Sequence, residues 1–355
     1  MVGAVDGTVN WGVVGCGWVA RDHVLPGLRA VAGARVVGVH DRDPVAARAA
    51  VAAYGGALPE GQESHVPATT LRERGFPATP EALDSLLQLP DLHALYLATP
   101  THTHPAVVAA VASSGLALLC EKPLAPDVAG AQELVDAAPA LAGTAFDQRF
   151  HPAHRRIAEI VAAGELGTVT AVRIVYGCWL PPDWSPDGAP QHNWRVDPGG
   201  GAVIDLAPHG VDLVGTLLGG DDLVALSVLT RTRVHDYPVD DGGVLAGHTA
   251  GGVLYSAHVS FATPDALPRR RLEVVGTRAQ LVAVDTLGQT PGGTLTRIDA
   301  TTGEAVDVPF DTTTSPFTAQ LAAFSAAVAG TADWPYPLHR DLALHTLLLT
   351  ALERT

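Results

Sequence analysis

The chain has 355 residues, enough for two domains at roughly 100–200 residues each, and its 47% hydrophobic and 17% charged residues suit a globular protein with a core to bury. A formal net charge of -15 argues against a nucleic-acid partner, because phosphate backbones demand a basic surface. Three scattered cysteines, Cys16, Cys120 and Cys178, form neither a disulfide framework nor a CxxC metal pair. No apolar run reaches the roughly 18 residues of a membrane span, and the opening residues lack a leader pattern, so a cytoplasmic protein with no membrane partner is expected.

Residues 10–14 predict a short apolar strand, followed at once by Gly15-Cys16-Gly17-Trp18-Val19-Ala20 and a helix to residue 32, with Pro26 inside it. A second strand at 35–40 ends at Asp41-Arg42, and Asp43-Pro44 opens an alanine-rich helix through residue 54. Residues 55–80 are rich in Gly, Pro, Ser and Thr and predict a surface excursion. Helix 81–89, strand 92–98, the turn Thr99-Pro100-Thr101-His102-Thr103-His104 and helix 105–114 follow. Strand 117–120 then runs into Glu121-Lys122-Pro123, ahead of helix 127–137 and strand 143–146. This alternation specifies an α/β Rossmann domain, a doubly wound parallel sheet, over residues 1–146.

The pattern then changes. Helix 152–163 is followed by strands at 169–176, 223–233, 252–261, 271–276, 280–284 and 294–299, with helices at 202–218, 316–329 and 339–353. Strands without interposed helices predict an α+β domain with a large, mostly antiparallel sheet over 147–355. Glycine pairs at 199–201, 242–243, 251–252 and 292–293 read as turns.

Gly15-x-Gly17-x-x-Ala20, between a strand and a helix of a βαβ unit, is the dinucleotide fingerprint. Gly15 permits the tight turn, Gly17 lets backbone amides approach a pyrophosphate, and the helix N-terminus supplies positive potential; Cys16, Trp18 and Val19 complete the loop. Asp41, at the tip of the second strand, can accept from the adenosine ribose and favours NAD. Arg42 offers a partner to a 2′-phosphate, so NADP stays open.

The chain carries 21 arginines and one lysine, Lys122. A site that needs a compact ammonium with rotatable donors cannot use the planar guanidinium. Lys122 follows a parallel strand, at the end where open α/β sheets bind ligands. Downstream of Gly199-Gly200-Gly201, Asp205 and His209 are four apart and share one face of a helix, with Pro208 between them.

In order, the glycine fingerprint, Ala98-Thr99-Pro100 with His104, Glu121-Lys122-Pro123, Arg149-Phe150-x-Pro152, Gly164-x-Leu166-Gly167 and the glycine run before Asp205 and His209 span nearly the whole chain. Together they resemble the glucose-fructose oxidoreductase / inositol 2-dehydrogenase / rhizopine-catabolism family, Gfo/Idh/MocA. The resemblance implies an NAD(P)-dependent dehydrogenase or ketoreductase acting on a CH–OH group of a sugar, cyclitol or aminosugar. It implies Thr99, Pro100, His104, Glu121 and Lys122 at the cofactor and Lys122, Arg149, Asp205 and His209 at the substrate. His209 would act as base, Lys122 would stabilise the reacting oxygen, and Asp205 would orient the imidazole or a substrate hydroxyl. A cis bond before Pro123 would aim Lys122. Homodimers or homotetramers through an open sheet face are implied as well. Asp147 and Gln148 depart from the family pattern, which often has Asn and another polar or basic residue before Arg149.

Trp179, Trp194 and Arg195 sit in or beside a proline-rich segment that either lines a sugar site, by stacking on C–H faces, or packs as a loop. Fifteen histidines show no metal-ligand spacing, so no metal is expected. Heavy Arg, Ala and Gly usage suggests a GC-rich coding sequence, in which a biosynthetic sugar pathway is one setting. Two other readings stay open. One is an enzyme that keeps NAD bound, as a sugar–sugar oxidoreductase or a redox-assisted glycosidase. The other is a non-catalytic NAD(P)-sensing protein.

Overall fold

The computed structural model describes residues 7–55, 80–89, 91–185 and 193–354, so the excursion expected at 55–80 lies almost wholly outside the described residues. The chain forms two compact units, Met1–Ala145 with Phe317–Leu342, and Phe146–Pro316 with Ala343–Thr355.

The first unit is built on five parallel strands, β1 (Val9–Val14), β2 (Ala34–His40), β3 (Ala94–Leu97), β4 (Ala117–Cys120) and β5 (Ala142–Thr144), in the order β2-β1-β3-β4-β5. Every residue of β1, β3 and β4 is buried, as a sheet covered on both faces requires. The connecting helices are α1 (Leu25–Ala30), α2 (Pro44–Gly55), α3 (Pro80–Leu87), α4 (His104–Val111) and α5 (Val128–Ala137). The Asp127 carboxylate caps α5 by accepting from Gly130 N at 2.8 Å. Pro26 cannot donate to the preceding turn, and the turn before α1, Ala20–Val24, widens into a π-helix. The strand order reverses between β1 and β3, which makes a crevice at their carboxyl ends.

The sequence placed all of 147–355 in a second domain, whereas Phe317–Leu342 returns to the first unit. The reason is apolar burial. Helix α8 (Pro316–Val328) sets Phe324 5.7 Å from the fully buried Trp11 ring, and Trp11 Nε1 donates to Ser325 Oγ at 3.1 Å. Gly27 lets α8 approach α1, since a Cβ there would meet Leu321 at 2.8 Å.

The second unit holds an eight-stranded sheet of β6 (Val169–Gly177), β7 (Leu223–Arg231), β8 (Gly242–Thr249), β9 (Leu254–Ser260), β10 (Arg270–Gly276), β11 (Ala279–Val284), β12 (Thr294–Asp299) and β13 (Ala305–Asp307). Its order is β13-β12-β11-β10-β6-β9-β8-β7, with β6 and β9 parallel and the other pairs antiparallel. Helix α7 (Ala202–Leu217), beside α6 (Pro152–Ala162), covers one face; Val175, Val244 and Leu254 stand exposed on the sheet. The last helix, α9 (Leu338–Leu352), runs across the boundary between the two units.

Two local expectations change. Gly242 and Gly243, read as a turn, open strand β8. The bare Cα of Gly243 seats α7, because a Cβ there would run into Val203. The strand expected at 143–146 stops at Thr144, and a 3₁₀ turn, Asp147–Phe150, follows. Among the described residues, no helix is long and apolar enough to cross a membrane.

Candidate functional site

In the first unit the glycine loop follows β1. Gly15 has φ 91°, and a Cβ on it would run into the Ala98 carbonyl after β3, so only glycine fits. Gly17 is different, since a Cβ there would meet nothing within 4 Å. Among the described residues no neighbour requires glycine there, and the open space over Gly17 fits a pyrophosphate pressed against the loop. Arg21 N donates to Gly17 O at 3.0 Å and starts the helix. The Asp41 carboxylate accepts from Cys16 N at 2.7 Å and from Asp43 N at 2.8 Å. Asp41 therefore braces the loop from the tip of β2, with lone pairs remaining for ribose hydroxyls. Arg42 is exposed beside it.

The other loop residues pack locally. Burial pushes the Cys16 thiol up to about 12, with Asp41 adding to the rise, so Cys16 is a packing residue. Trp18 meets His23 edge-on at 5.2 Å, and His23 stacks on Phe317 at 5.0 Å. Val19 continues the helical path into the buried Ala20.

The ends of β3 and β4 are tied together. The Thr103 hydroxyl lies 2.7 Å from Thr99 Oγ1 and 2.8 Å from the Pro100 carbonyl. His104, expected at the cofactor, is 1% exposed; its Nε2 lies 2.9 Å from the Thr99 carbonyl and its Nδ1 3.2 Å from that of Leu124. It is a strut between two loops, and burial holds its pKa below the usual imidazole range. Tyr96 Oη donates to Glu121 Oε1 at 2.7 Å, and Lys122 N donates to Glu121 Oε2 at 3.2 Å. Glu121 thus fixes the main chain at Lys122, and the Lys122–Pro123 peptide is cis.

In the second unit α7 carries the other residues. Its start explains the glycine run, because a Cβ on Gly200 would meet the Arg195 carbonyl. Gly201, at φ 115°, abuts the Asp240 carboxylate. Asp240 accepts from Ala202 N through its carbonyl at 3.0 Å and from Val203 N through Oδ2 at 2.9 Å. Burial pushes the Asp240 carboxyl up to about 6. The helix continues through Pro208.

Asp205 and His209 lie one turn apart on α7, yet they face different partners. His209 Nδ1 is 3.7 Å from Asp147 Oδ1, and the imidazole meets Phe146 at 6.0 Å and Tyr176 at 5.9 Å, both edge-on. Asp205 Oδ2 is 3.7 Å from Arg195 Nε, and the Arg195 guanidinium sits 5.8 Å over the Trp184 ring. Asp147 is thus a carboxylate beside the imidazole that the sequence did not single out.

Arg149, expected at the substrate, is 1% exposed. Its Nε donates to Asp212 at 2.9 and 3.0 Å and its Nη2 at 2.7 Å, so it fastens the 147–150 turn to α7. Trp179 is 37% exposed and meets His235 at 4.7 Å. Trp194 opens a 3₁₀ turn, Trp194–Val196, and its side chain lies outside the described residues. Sequence reasoning missed two groups, Asp147 as the imidazole's neighbour and Asp240 as the cap of α7. The only signal for the first was the departure at Asp147-Gln148 from the family pattern.

Residues 9–146 match an oxidoreductase family described by its NAD-binding Rossmann fold, and residues 154–282 match the Gfo/Idh/MocA C-terminal domain. The chain is 29% identical over 327 residues to 1,5-anhydro-D-fructose reductase of Ensifer adhaerens, covering 90% of this chain and 88% of that one. It is 34% identical over 263 residues to D-xylose 1-dehydrogenase (NADP(+)) 2 of Haloferax volcanii, covering 72% and 76%. In fold it is similar to the aldose-aldose oxidoreductase of Caulobacter crescentus, with a TM-score of 0.80 at 18% identity over 98% of each chain. With both its nucleotide-binding and its C-terminal regions matched, the chain belongs to the Gfo/Idh/MocA family of NAD(P)-binding oxidoreductases.

Proposed function

We propose that the chain transfers a hydride between a nicotinamide cofactor and a secondary alcohol or ketone carbon of a sugar, cyclitol or aminosugar, with Lys122, Asp205 and His209 as catalytic residues. One observation carries this reading. The chain's only lysine stands at the carboxyl end of β4, beside the switch-point crevice, with its main chain held by Glu121. When bound, the nicotinamide accepts or supplies the hydride. The Lys122 ammonium donates a hydrogen bond to the reacting oxygen and stabilises the alkoxide that forms. His209 takes the hydroxyl proton in oxidation and returns it in reduction. Asp205, held toward Arg195, receives a neighbouring substrate hydroxyl, and Trp179 offers a face to sugar C–H groups.

Asp41 favours NAD, because its carboxylate at the tip of β2 repels a 2′-phosphate. The exposed Val175, Val244 and Leu254 support a homodimer or homotetramer through the outer sheet face, which light scattering would test against a monomer mass. The thiols suit the reducing cytoplasm. The deciding assay follows reduced-nicotinamide absorbance with NAD, then NADP, across sugars, inositols and aminosugars. Lys122→Met abolishes turnover on the responding substrate and leaves NAD binding intact; unchanged turnover overturns the assignment.

A further inference from the structure

We infer that Asp147 is the positioning residue of His209, holding the proton on Nδ1 so that Nε2 is the atom that exchanges a proton with the substrate. The inference rests on the reading of His209 as the acid–base group. It stands on where the carboxylate is anchored. Asp147 and His209 are 4% and 5% exposed, and Oδ1 lies 3.7 Å from Nδ1, within ion-pair reach though beyond hydrogen-bond distance. The other oxygen, Oδ2, accepts from Gln148 Nε2 at 2.8 Å, and the same amide nitrogen donates to the Gly288 carbonyl at 2.7 Å. Gln148 therefore ties the carboxylate to the Gly288 loop and leaves Oδ1 turned to the imidazole. Phe146 and Tyr176 flank the ring and restrict its rotation.

The nearby carboxylates have partners of their own. Asp212, on the same helix as His209, is neutralised by Arg149 through three hydrogen bonds. Asp205 faces Arg195. Tyr176 stays a neutral phenol because burial pushes it up, with Arg270 above its ring, and burial holds the Cys178 thiol at about 12. Asp147 faces the imidazole from the turn that follows β5. A buried carboxylate at Nδ1 selects the Nδ1–H tautomer and stabilises the imidazolium. In alcohol oxidation the substrate hydroxyl proton passes to the Nε2 lone pair. The ring then carries two protons against the Asp147 charge, and solvent later removes the Nε2 proton, while the family's nicotinamide is the two-electron partner.

The test compares Asp147→Asn, Asp147→Glu, Gln148→Met and His209→Gln in the full chain. Two measurements are made, steady-state kinetics on the polyol that responds in the nicotinamide assay and ¹⁵N spectra of the histidine rings. His209→Gln identifies the His209 signal. Asp147→Asn is expected to cut kcat by about 10–100-fold with KM changing less than about threefold. It is also expected to move the His209 signal from the Nδ1–H to the Nε2–H tautomer, because the new amide can donate to Nδ1. Asp147→Glu restores part of both, and Gln148→Met gives a smaller loss in the same direction. If Asp147→Asn does not fold, the Gln148→Met kinetics and tautomer decide. An unchanged tautomer and kcat, with His209→Gln inactive, overturn the inference and leave the base reading standing. Full turnover in His209→Gln overturns both.

Discussion

Replacing Arg149 by methionine strands the Asp212 carboxylate inside the second unit. The side chains of the pair are 0% and 1% exposed, and three hydrogen bonds of 2.7–3.0 Å join them. A buried charge left without its partner costs about 3–5 kcal/mol, a large part of the 5–15 kcal/mol that typically holds a domain together. At a urea m-value of about 2–3 kcal/mol per molar, the midpoint should fall by about 1–2 M. Arg149→Met/Asp212→Leu removes both charges and fills the space, so it should return to within about 1 kcal/mol of the parent. Urea unfolding followed by tryptophan fluorescence, with hydrogen exchange of the α7 amides as a local probe, separates these cases even when the two units unfold apart. If Arg149→Met costs less than about 1 kcal/mol, or the double variant is no better than the single, the fastening role is wrong. If the double variant folds well but shows a strongly raised KM, Arg149 touches substrate after all.

Three further outcomes follow from the geometry. Gly15→Ala combines a φ of 91° with collision against the Ala98 carbonyl and should cost more than about 2 kcal/mol. Gly17→Ala should change stability by less than about 0.5 kcal/mol yet weaken NAD binding at least about tenfold; thermal melts with and without NAD read both, and equal effects at the two sites would refute the distinction. Asp240 has a folded pKa of about 6, above its unfolded value, so its favourable contribution is complete below pH 4 and is lost as pH rises through 6. Asp240→Asn keeps the acceptor for Val203 N and should flatten that slope, whereas Asp240→Ala should cost about 1 kcal/mol; chemical denaturation at pH 5 and 8 checks both, and a parent that is no less stable at pH 8 than the Asn variant argues against the reasoning. Burial holds Cys16 and Cys178 at about 12 and Cys120 well up, so native protein at pH 8 should react with Ellman's reagent far more slowly than the unfolded chain; rapid native labelling would contradict this.

The sequence displayed what depends on short-range chemistry. The alternation up to residue 146, the Gly15 turn and the Asp205–His209 spacing on one helix all follow from local patterns, while the cis bond before Pro123 is implied only by the family resemblance. Long-range packing hid the rest. Gly242 and Gly243 carry a turn signature, yet they open β8, where α7 rests on Gly243. Arg149 has the look of a substrate residue until Asp212, 63 positions away, is seen to consume it. The neighbour of His209 comes from the turn after β5, a pairing that no spacing rule relates to α7.

The return of Phe317–Leu342 to the first unit sets a timetable for synthesis. When a ribosome has made residues 1–145, the parallel sheet has all five strands but the Trp11 surface still lacks Phe324 and Ser325. That gap persists while 146–316 emerge, and the second unit in turn waits for Ala343–Thr355. Neither hydrophobic core is complete until residues 317–355 leave the exit tunnel. A chain stopped near residue 316 lacks part of both units and should be cleaved by proteases faster than the full chain.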